Sequence, residues 1–407
     1  MKQKIIIIGG GAAGFFTSIV IAETNPNLDI TILEKGDKVL QKVKVSGGGR
    51  CNVTHACFTP RELVEFYPRG KKELLGPFHQ FMTGDTIEWF ENHGVPLKIE
   101  EDNRIFPESN TSQTIVDCFT ESAKKGGVQL ELNQNVTKIE KVNSQFIIHT
   151  NSDKFIANKL VITSGSNPKI WDLISNLGHK IIDPVPSLFT FNINDDRIKE
   201  IPGVSVPNAT VKLLDSKFES SGPVLITHWG LSGPAILKLS AFGAIFLAEK
   251  NYQYSVEVNW LSKPASTVLQ KLNILKRENP KKQIVLRSPF KDLPKRLWEK
   301  LVLASQIRQE QRWADVSNKQ LDQLANQLTK SIFKAYGKTT FKEEFVTAGG
   351  VALKEINFKR FESKLHQNLF FAGEVLNIDA VTGGFNFQNA WTSGFITGKS
   401  IAMNDQN

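Results

Sequence analysis

Cysteine is scarce in this chain of 407 residues, which contains only Cys51, Cys57 and Cys118. Three cysteines do not make the disulfide framework of a secreted protein. Neither they nor the seven histidines have the spacing of a metal site. No window approaches the roughly 20 apolar residues that a membrane span needs, and the first apolar run is too short for a signal peptide. We therefore expect a cytoplasmic protein without a metal centre or a membrane segment.

Charge is abundant but unevenly placed. The chain has a net charge of +9, yet residues 263–338 alone contain 17 Lys and Arg and 6 Asp and Glu. The positive charge therefore belongs to one segment. Such a segment can attract an anionic substrate, a nucleotide or a nucleic acid. The competing interpretation is a set of helices with lysine-rich, solvated outer faces.

The first triple glycine begins a nucleotide-binding pattern. The buried, β-branched strand Lys4–Ile8 leads into Gly9-x-Gly11-x-x-Gly14, then a helix, the strand "LDITIL" and Glu34. This is the full dinucleotide fingerprint in its required context. The glycines allow a tight turn and a close approach of the backbone to a pyrophosphate, and the helix N-terminus faces it with free N–H groups. The acid can accept both ribose hydroxyls.

The middle and the end of the chain favour FAD as the cofactor. We predict helices near residues 63–74 and 86–93 and one ending at Gly126, followed by the strands "VQLEL", "VTKIEKV", "QFIIHT" and "KLVITSGS". This is the layout of two-dinucleotide-domain flavoproteins. Near the C-terminus, a strand at residues 369–372 precedes Gly373-Glu374 and a helix that begins after Gly383-Gly384. The acid can hold a ribityl hydroxyl, and the helix dipole favours the anion of a reduced flavin.

A second triple glycine lies in "SGGGRCN". Its backbone N–H groups can reach the pyrophosphate and ribityl chain of a long cofactor from the other side. Arg50 adds a positive charge for phosphate or substrate, and Asn52 can bind a polar edge of the ring. A flexible surface turn is the competing interpretation.

These motifs carry a resemblance. "GGGAAG", "SGGGRCNVTH", "NRIFPES", "THWGLSGPAILKLS", "VTAGGVALKEI" and "GEVLNIDAVTGGFNFQNAW" resemble the bacterial NAD(P)/FAD-dependent oxidoreductase family that includes the bile-acid 3-dehydro-Δ4,6-reductase. The resemblance runs from residue 1 to about residue 400. It implies a glutathione-reductase-like FAD-binding Rossmann domain with an inserted β-rich domain and an inserted helical domain.

The residues expected to bind FAD come from the motifs and from this resemblance together. They are Gly9, Gly11, Ala12, Ala13, Gly14, Glu34, Lys35, Ser46, Gly47, Gly49, Arg50, Cys51, Asn52, Val136, Ser164, Gly165, Gly373, Glu374, Gly384, Phe385, Asn386 and Phe387.

The inserts have patterns of their own. Short alternating runs after residue 188 predict strands, and helical periods follow from about residue 263, notably in "RLWEKLVLAS" and "LDQLANQLTKSIF". We predict an FAD domain of residues 1–187 and 346–407. We predict a β-rich insert of residues 188–262, completed by 336–345, and a basic helical insert of residues 263–335.

Catalytic residues are not evident from the sequence. "GLSGP" lacks the second glycine of a hydrolase nucleophile elbow. His228 is a candidate proton donor because a histidine can donate a proton near neutral pH, although a histidine that stabilises a turn has the same pattern. Arg104 is a candidate for holding an anionic group or, equally, a surface arginine.

We expect an FAD-dependent oxidoreductase that reduces an unsaturated, carbonyl-conjugated small molecule. No second glycine fingerprint follows Gly14, so we expect NAD(P)H, as electron donor, to bind weakly and transiently. One alternative is a disulfide oxidoreductase using Cys51 and Cys57, whose spacing is unlike that of the usual redox pair. Another is an FAD protein that binds RNA through its basic insert, which would require aromatic residues interleaved with the basic ones. A non-catalytic FAD-binding scaffold is the third.

Overall fold

The protein is described by a computed structural model that covers residues 2–339 and 346–403. The chain divides into two units. The first unit contains the described residues up to Pro184 and from Thr347 onward, and the second contains the described residues from Val185 to Val346. The three-domain division made from the sequence remains a prediction, and its residues 340–345 lie outside the described residues.

The described chain contains the strands β1 (Lys4–Ile8), β2 (Asp29–Leu33), β3 (Thr54–His55), β4 (Leu97–Ile99), β5 (Arg104–Pro107), β6 (Gln129–Glu131), β7 (Val136–Val142), β8 (Gln145–Thr150), β9 (Lys154–Ala157), β10 (Lys159–Ile162), β11 (Ile181–Ser187), β12 (Thr190–Ile193), β13 (Ser205–Leu213), β14 (Glu219–Ile226), β15 (Gly230–Ser232), β16 (Gln253–Asn259), β17 (Ser331–Thr339), β18 (Val346–Val351), β19 (Ile356–Asn357), β20 (Glu362–Ser363) and β21 (Leu369–Phe371). Its helices are α1 (Ala12–Thr24), α2 (Gln41–Gly49), α3 (Pro60–Leu63), α4 (Lys71–Phe78), α5 (Thr83–Asn92), α6 (Ser112–Lys125), α7 (Pro168–Asn176), α8 (Pro234–Phe242), α9 (Ala244–Glu249), α10 (Ala265–Glu278), α11 (Lys295–Ala304), α12 (Asn318–Thr329) and α13 (Phe385–Met403).

A seven-stranded sheet forms the centre of the first unit, in the order β19-β20-β21-β10-β1-β2-β6. The five strands from β21 to β6 are parallel, with Ile6 opposite Leu160 and Thr31. Four of the five residues of β1 are buried, as expected of a central parallel strand covered on both faces. The predicted strands at both ends of the chain are therefore confirmed, and they meet in one sheet.

Helices α1 and α13 pack against each other and join the two ends of the chain. On α13, a Cβ atom at Gly394 would lie 3.1 Å from Thr17 Oγ1, and one at Gly398 would lie 2.7 Å from Val20 Cγ1. The two glycines therefore let the helix backbones approach closely. Beside them, the rings of Phe16 and Trp391 have centroids 5.4 Å apart.

Two local predictions in the first unit were wrong. The helix expected over residues 63–74 is interrupted, because α3 ends at Leu63 and α4 begins only at Lys71. Gly70 precedes α4 in the left-handed region with φ +88°, which separates the two helices. The meander expected to have two strands has a third, β9, which pairs with β8.

The second unit is built around a closed barrel with the strand order β12-β15-β14-β13-β16-β17. The barrel and helices α10 to α12 share one apolar core, in which Trp260, Trp298 and Phe333 are buried. The helical pattern predicted to continue through Ala335 ends at Thr329, and Ser331 begins β17. Buried and exposed residues alternate along the first six residues of β17, which is the strand period that "SIFKAY" carries.

No helix among the described residues is long and apolar enough to span a bilayer.

Candidate functional site

The first glycine run makes a crowded turn between β1 and α1. Gly9 has φ +116°, and a Cβ atom there would lie 2.6 Å from the Thr163 carbonyl oxygen. A Cβ atom at Gly14 would lie 2.0 Å from the Gly9 carbonyl oxygen. Both positions therefore require glycine for packing within the protein.

Gly11 differs from these two glycines because no protein atom lies within 4 Å of a Cβ atom built on it. It is the N-cap of α1, and no side chain caps the helix there. The first N–H groups of an α-helix have no partner within the helix, and together with the helix dipole they favour an anion. This end of α1 is therefore open for a phosphate.

Glu34 is fixed at the end of β2. Its Oε2 accepts a hydrogen bond from the Gly10 N–H at 2.8 Å, and its Oε1 accepts one from the Gly36 N–H at 3.0 Å. Each carboxylate oxygen retains a further lone pair, so the oriented group can still accept from ribose hydroxyls. Lys35 is exposed beside it.

The second glycine run ends a helix, whereas the sequence predicted a segment that simply follows the second strand. In α2 the backbone leaves the helical region at Ser46, and Gly47, Gly48 and Gly49 have φ values of +57°, +68° and +84°. A Cβ atom at Gly47 would lie 2.8 Å from the Asn52 nitrogen, but Gly48 and Gly49 have open space. Successive N–H groups in such a turn form a concavity that binds anions.

The residues after this run have partners within the protein. Arg50 Nη1 donates to Glu100 Oε1 at 2.6 Å, and its guanidinium lies 3.9 Å from the centroid of the Phe106 ring. When the side-chain amide of Asn52 is oriented so that both its nitrogen and its oxygen have hydrogen-bond partners, the nitrogen donates to the Thr54 carbonyl. The oxygen then accepts from the Gly384 N–H at 3.1 Å. The structure thus gives both side chains structural contacts, and their predicted roles toward the cofactor remain predictions.

The cysteines are all buried and free. Burial raises the pKa of the Cys51 thiol to about 12, and burial also raises the pKa of Cys57. Disulfide exchange requires a thiolate, and a reactive cysteine has a lowered pKa. The structure therefore gives no support to the disulfide alternative.

The loops after β10 and β21 come together near α1. Gly373 has φ +77°, and a Cβ atom there would lie 3.0 Å from Ala13 Cβ. A Cβ atom at Gly165 would lie 3.7 Å from Glu374 Oε2. The Glu374 carboxylate also accepts from Lys42 Nζ at 2.7 Å. The structure therefore brings these predicted residues to the same edge of the sheet as the first glycine run.

The start of α13 lies against the segment that follows the second glycine run. Gly384 has φ +92°, and a Cβ atom there would lie 2.7 Å from backbone atoms of Thr54. The Tyr67 hydroxyl donates to the Phe385 carbonyl at 2.5 Å, and the Phe385 ring stacks on Phe66 at 4.1 Å. These contacts fix the N-terminal end of α13.

Two further predicted residues make contacts within the protein. The Asn386 side chain forms two hydrogen bonds with the Ala380 backbone. The Phe387 ring stacks on Trp391 with 5.5 Å between centroids. Val136 begins β7 and is buried. The structure thus gives each of these residues a packing role, and their contact with FAD stays a prediction.

Six residues of this unit have buried polar side-chain atoms without a hydrogen-bond partner among the described residues: His55 Nδ1, Trp89 Nε1, Ser164 Oγ, Arg360 Nε, Thr397 Oγ1 and both side-chain atoms of Asn389. Such atoms are rare and destabilising in a finished core. Sequence reasoning included Ser164 but missed His55 and Asn389. His55 lies in the quoted motif "SGGGRCNVTH", so the motif could have indicated it as a site residue. Asn389 lies inside α13, and the helical pattern there does not distinguish it from its neighbours.

The two catalytic candidates occupy different places. His228 lies in the second unit, exposed in the three-residue connection between β14 and β15 beside the exposed Trp229. Arg104 is in β5 of the first unit, where its Nε donates to Asp102 Oδ2 at 2.7 Å. No group of three or more potential metal ligands occurs in the described part of the chain.

Comparisons with known proteins identify the family. The sequence profile described as "HI0933-like protein Rossmann domain" matches residues 3–400. The chain belongs to the HI0933-like family. Two relatives named ribosomal RNA dihydrouridine synthase are each 29% identical. The alignment with the relative from Haemophilus influenzae covers 98% of each of the two chains. The alignment with the relative from Escherichia coli K12 covers 97% of each.

Another relative, named 3-dehydro-bile acid delta(4,6)-reductase, from Clostridium scindens, is 26% identical over 98% of this chain and 99% of its own. Among solved structures, 3-ketosteroid delta1-dehydrogenase from Sterolibacterium denitrificans aligns with a TM-score of 0.51 and 10% identity over 99% of this chain and 100% of that chain. The expected Rossmann-type FAD-binding fold with a β-rich insert is confirmed, and the insert contains a closed barrel. The protein is an FAD-dependent oxidoreductase.

The residues present fit FAD. The uncapped α1, the open Gly11, Gly48 and Gly49, the oriented Glu34 and the unpartnered Ser164 Oγ all lie in the first unit. They provide N–H donors for a pyrophosphate, acceptors for hydroxyls and a buried hydroxyl that lacks a partner.

Proposed function

We propose that this protein reduces the C5=C6 bond of a uracil base in ribosomal RNA, with NAD(P)H as the source of electrons. The observation that carries the proposal is the similarity, over almost the full length of both chains, to two relatives named ribosomal RNA dihydrouridine synthase. In uracil the C5=C6 bond is conjugated to the C4 carbonyl. The proposal therefore keeps the carbonyl-conjugated substrate expected from the sequence and exchanges the small molecule for RNA.

The basic segment supports RNA as the substrate. A nucleic-acid-binding protein needs lysine and arginine near the phosphates, and that attraction supplies most of the nonspecific affinity. Residues 263–338 contain 17 Lys and Arg against 6 Asp and Glu. This excess is located in the second unit, away in sequence from the residues that fit FAD.

A second candidate is a small unsaturated ketone of the steroid type. The Clostridium scindens relative favours it, because that relative is named a bile-acid reductase and covers nearly the same length at 26% identity. The two candidates share their chemistry, which is the addition of two electrons and two hydrogens to a C=C bond conjugated to C=O. They differ in the charge and size of the substrate.

The reaction assigns separate tasks to the residues of the chain. When bound, FAD supplies the two electrons as a hydride to the β-carbon of the conjugated system, which is C6 of uracil. The N-terminus of α1 and the oriented Glu34 carboxylate hold the dinucleotide portion of the cofactor. The N-terminus of α13, fixed by Tyr67 and by the contact of Gly384 with Thr54, presents its positive dipole end to negative charge.

A proton must reach C5 to complete the product. His228 and Arg104 are the two candidates from the sequence for this proton, and they lie in different units. Arg104 is the weaker candidate, since its guanidinium is paired with Asp102 and remains charged. NAD(P)H binds weakly and transiently in this proposal, because the sequence offers no second dinucleotide fingerprint.

The test is anaerobic turnover by the FAD-loaded protein with NADH or NADPH and one of three substrates: unmodified ribosomal RNA, uridine monophosphate, or an unsaturated steroid ketone. We expect dihydrouridine in the RNA, detected by mass spectrometry of its nucleosides as a gain of two hydrogens. Reduction of the ketone without reduction of RNA would establish the second candidate instead.

A further inference from the structure

The outer face of the barrel between β16 and β17 carries an exposed aromatic ring among lysines. Along β17 the side chains of Lys334 and Tyr336 alternate with the buried Phe333 and Ala335, so they point out of the barrel. Tyr336 is 60% exposed and lies opposite Gln253 of β16, while Lys334 lies opposite Ser255. The face is therefore polar and cationic around one ring.

An open pocket of about 290 Å³ adjoins this ring. Its lining includes Tyr336 and Lys334 from β17, Phe246 and Lys250 from α9 and the loop after it, and Asp215. The pocket is at the small end of the range for ligand pockets. With Tyr254, its walls thus combine three aromatic residues, two lysines and one acid.

The lysines of this face are available for an anion. Among the described residues, none of Lys250, Lys334 and Lys338 forms an ion pair with an acid. The Lys338 ammonium lies 3.8 Å from the centroid of the Tyr252 ring, and Lys250 lies 5.7 Å from that of Phe246. Cation–π contacts therefore place the ammonium groups of Lys250 and Lys338.

Tyr336 is exceptional among the aromatic residues of the basic segment. Phe290, Trp298, Trp313 and Phe333 are all buried in the core of the second unit. These four cannot stack on a nucleotide. Within the basic segment, exposed basic and aromatic groups therefore occur together on the barrel face and not on helices α10 to α12. A surface that binds nucleic acid needs both kinds of group.

We propose that this face, which we call the Tyr336 patch (Phe246, Lys250, Lys334, Tyr336 and Lys338), binds a single-stranded segment of the RNA substrate. A base stacks on the exposed ring of Tyr336, and the adjoining phosphates lie near the lysines. The inference rests on the proposed function, since it takes ribosomal RNA as the partner. It places the RNA contact in the second unit, whereas the residues that fit FAD lie in the first.

Charge and composition favour RNA over a protein partner for the patch. Lysine is depleted from protein–protein interfaces, and three lysines surround one exposed ring here. Base stacking on an aromatic side chain tolerates any sequence because every base has a π face. The patch therefore supplies affinity and leaves the choice of nucleotide to the reaction site.

The test compares four variants of the FAD-loaded protein by fluorescence anisotropy with a short labelled single-stranded RNA. Tyr336→Ala should weaken binding about 10-fold, and Tyr336→Phe should bind as the wild type does because it keeps the ring. Lys334→Gln should lower the slope of log affinity against log salt by about 0.7. Lys319→Gln, a matched change at an exposed lysine of α12, should keep the wild-type slope. Equal affinity of Tyr336→Ala and wild type would overturn the proposal.

Dihydrouridine formation, measured on the same variants, separates this inference from the proposed function. If the wild type makes dihydrouridine and Tyr336→Ala binds and reduces RNA equally well, the inference is wrong and the function stands. If the wild type binds RNA through the patch but forms no dihydrouridine, the function is wrong and the patch stands. Thermal unfolding of each variant checks that the second unit is folded, and the salt slope of Lys334→Gln still tests the proposal if Tyr336→Ala fails to fold.

Discussion

The two glycine runs of the first unit have the same composition but expose their backbone in different ways. The run at Gly9–Gly11 precedes a helix, so its open donors are the first N–H groups of α1. The run at Gly47–Gly49 follows the helical part of α2 and remains in the left-handed region. The first run can therefore meet an anion with a helix dipole, and the second with a turn of successive N–H groups.

Within each run, some glycines serve packing and others serve a ligand. A Cβ atom at Gly9 or Gly47 would collide with protein backbone, while one at Gly11, Gly48 or Gly49 would meet no protein atom within 4 Å. Packing requires the first kind, and the left-handed backbone requires Gly48 and Gly49, whereas Gly11 has neither constraint. Substitutions can therefore separate stability from cofactor binding.

The largest difference in stability is expected between the variants Gly14→Ala and Gly11→Ala. Gly14→Ala places a methyl group 2.0 Å from the Gly9 carbonyl oxygen, and we expect a loss of about 3 kcal/mol of unfolding free energy or more. Gly11→Ala should leave the stability of the FAD-free protein unchanged and lower its affinity for FAD. Thermal unfolding of the FAD-free proteins and FAD titration measure the two effects. Equal loss of stability in both variants would contradict the distinction.

A smaller effect on stability and on FAD affinity is expected for Ser164, which lies beside the first glycine run. Ser164 follows Thr163 beside Gly9, and its hydroxyl is buried without a partner among the described residues. Ser164→Ala should raise the unfolding free energy of the FAD-free protein by about 1 kcal/mol, because an unsatisfied group is removed. The same change should weaken FAD binding about 5-fold, since one hydrogen bond is lost.

Thr397→Val is the matched control for Ser164→Ala. The Thr397 hydroxyl is also buried without a partner among the described residues, but it lies near the end of α13. We expect the same gain in stability and no change in FAD affinity. Weaker FAD binding in both variants would show that the effect of Ser164 is not local.

The smallest effect concerns His55, which follows the second run. Burial lowers the pKa of its imidazole below the ordinary value of 6.5. The folded protein therefore holds His55 neutral at a pH where the unfolded chain is protonated, so its contribution to stability is present above about pH 6.5 and lost as the pH falls below it. His55→Gln should flatten the acid side of the stability profile of the FAD-free protein, measured by denaturant unfolding.

His179 supplies the internal control for this profile. Burial lowers the pKa of His179 as well, against the opposing hydrogen bond from Glu355. His55→Gln should therefore retain part of the acid sensitivity, and the double variant with His179→Gln should lose more of it. A profile unchanged by His55→Gln would show that this imidazole titrates alike in the folded and unfolded chains.

The sequence predicted the first run better than the second, and the reason is the range of the interactions. The geometry of Gly9, Gly11 and Gly14 follows from local rules that link a strand, a turn and a helix. The geometry of Gly47 depends on Asn52 and Phe106, and that of Gly384 depends on Thr54, more than 300 residues away in the chain. No short pattern encodes such contacts.

The same limit explains the residues that were missed or misplaced. Whether a buried polar atom such as Nδ1 of His55 lacks a partner is decided by the packing around it. The position of β17 was missed because "SIFKAY" follows the strongly helical "LDQLANQLTK", and only pairing with β16 makes it a strand. The exposure of Tyr336 follows from that pairing, so it could not be read from the sequence either.

The packing of α13 on α1 has a consequence for the synthesis of the protein. The second unit is continuous in sequence, but the first unit begins at the N-terminus and is completed by β21 and α13. A ribosome adding about 5 to 20 residues per second therefore releases the whole inserted unit several seconds before the last helix of the unit that started first. During that interval the nascent chain has its complete inserted unit but an unfinished central sheet, so the unit that starts first is the last to complete its core.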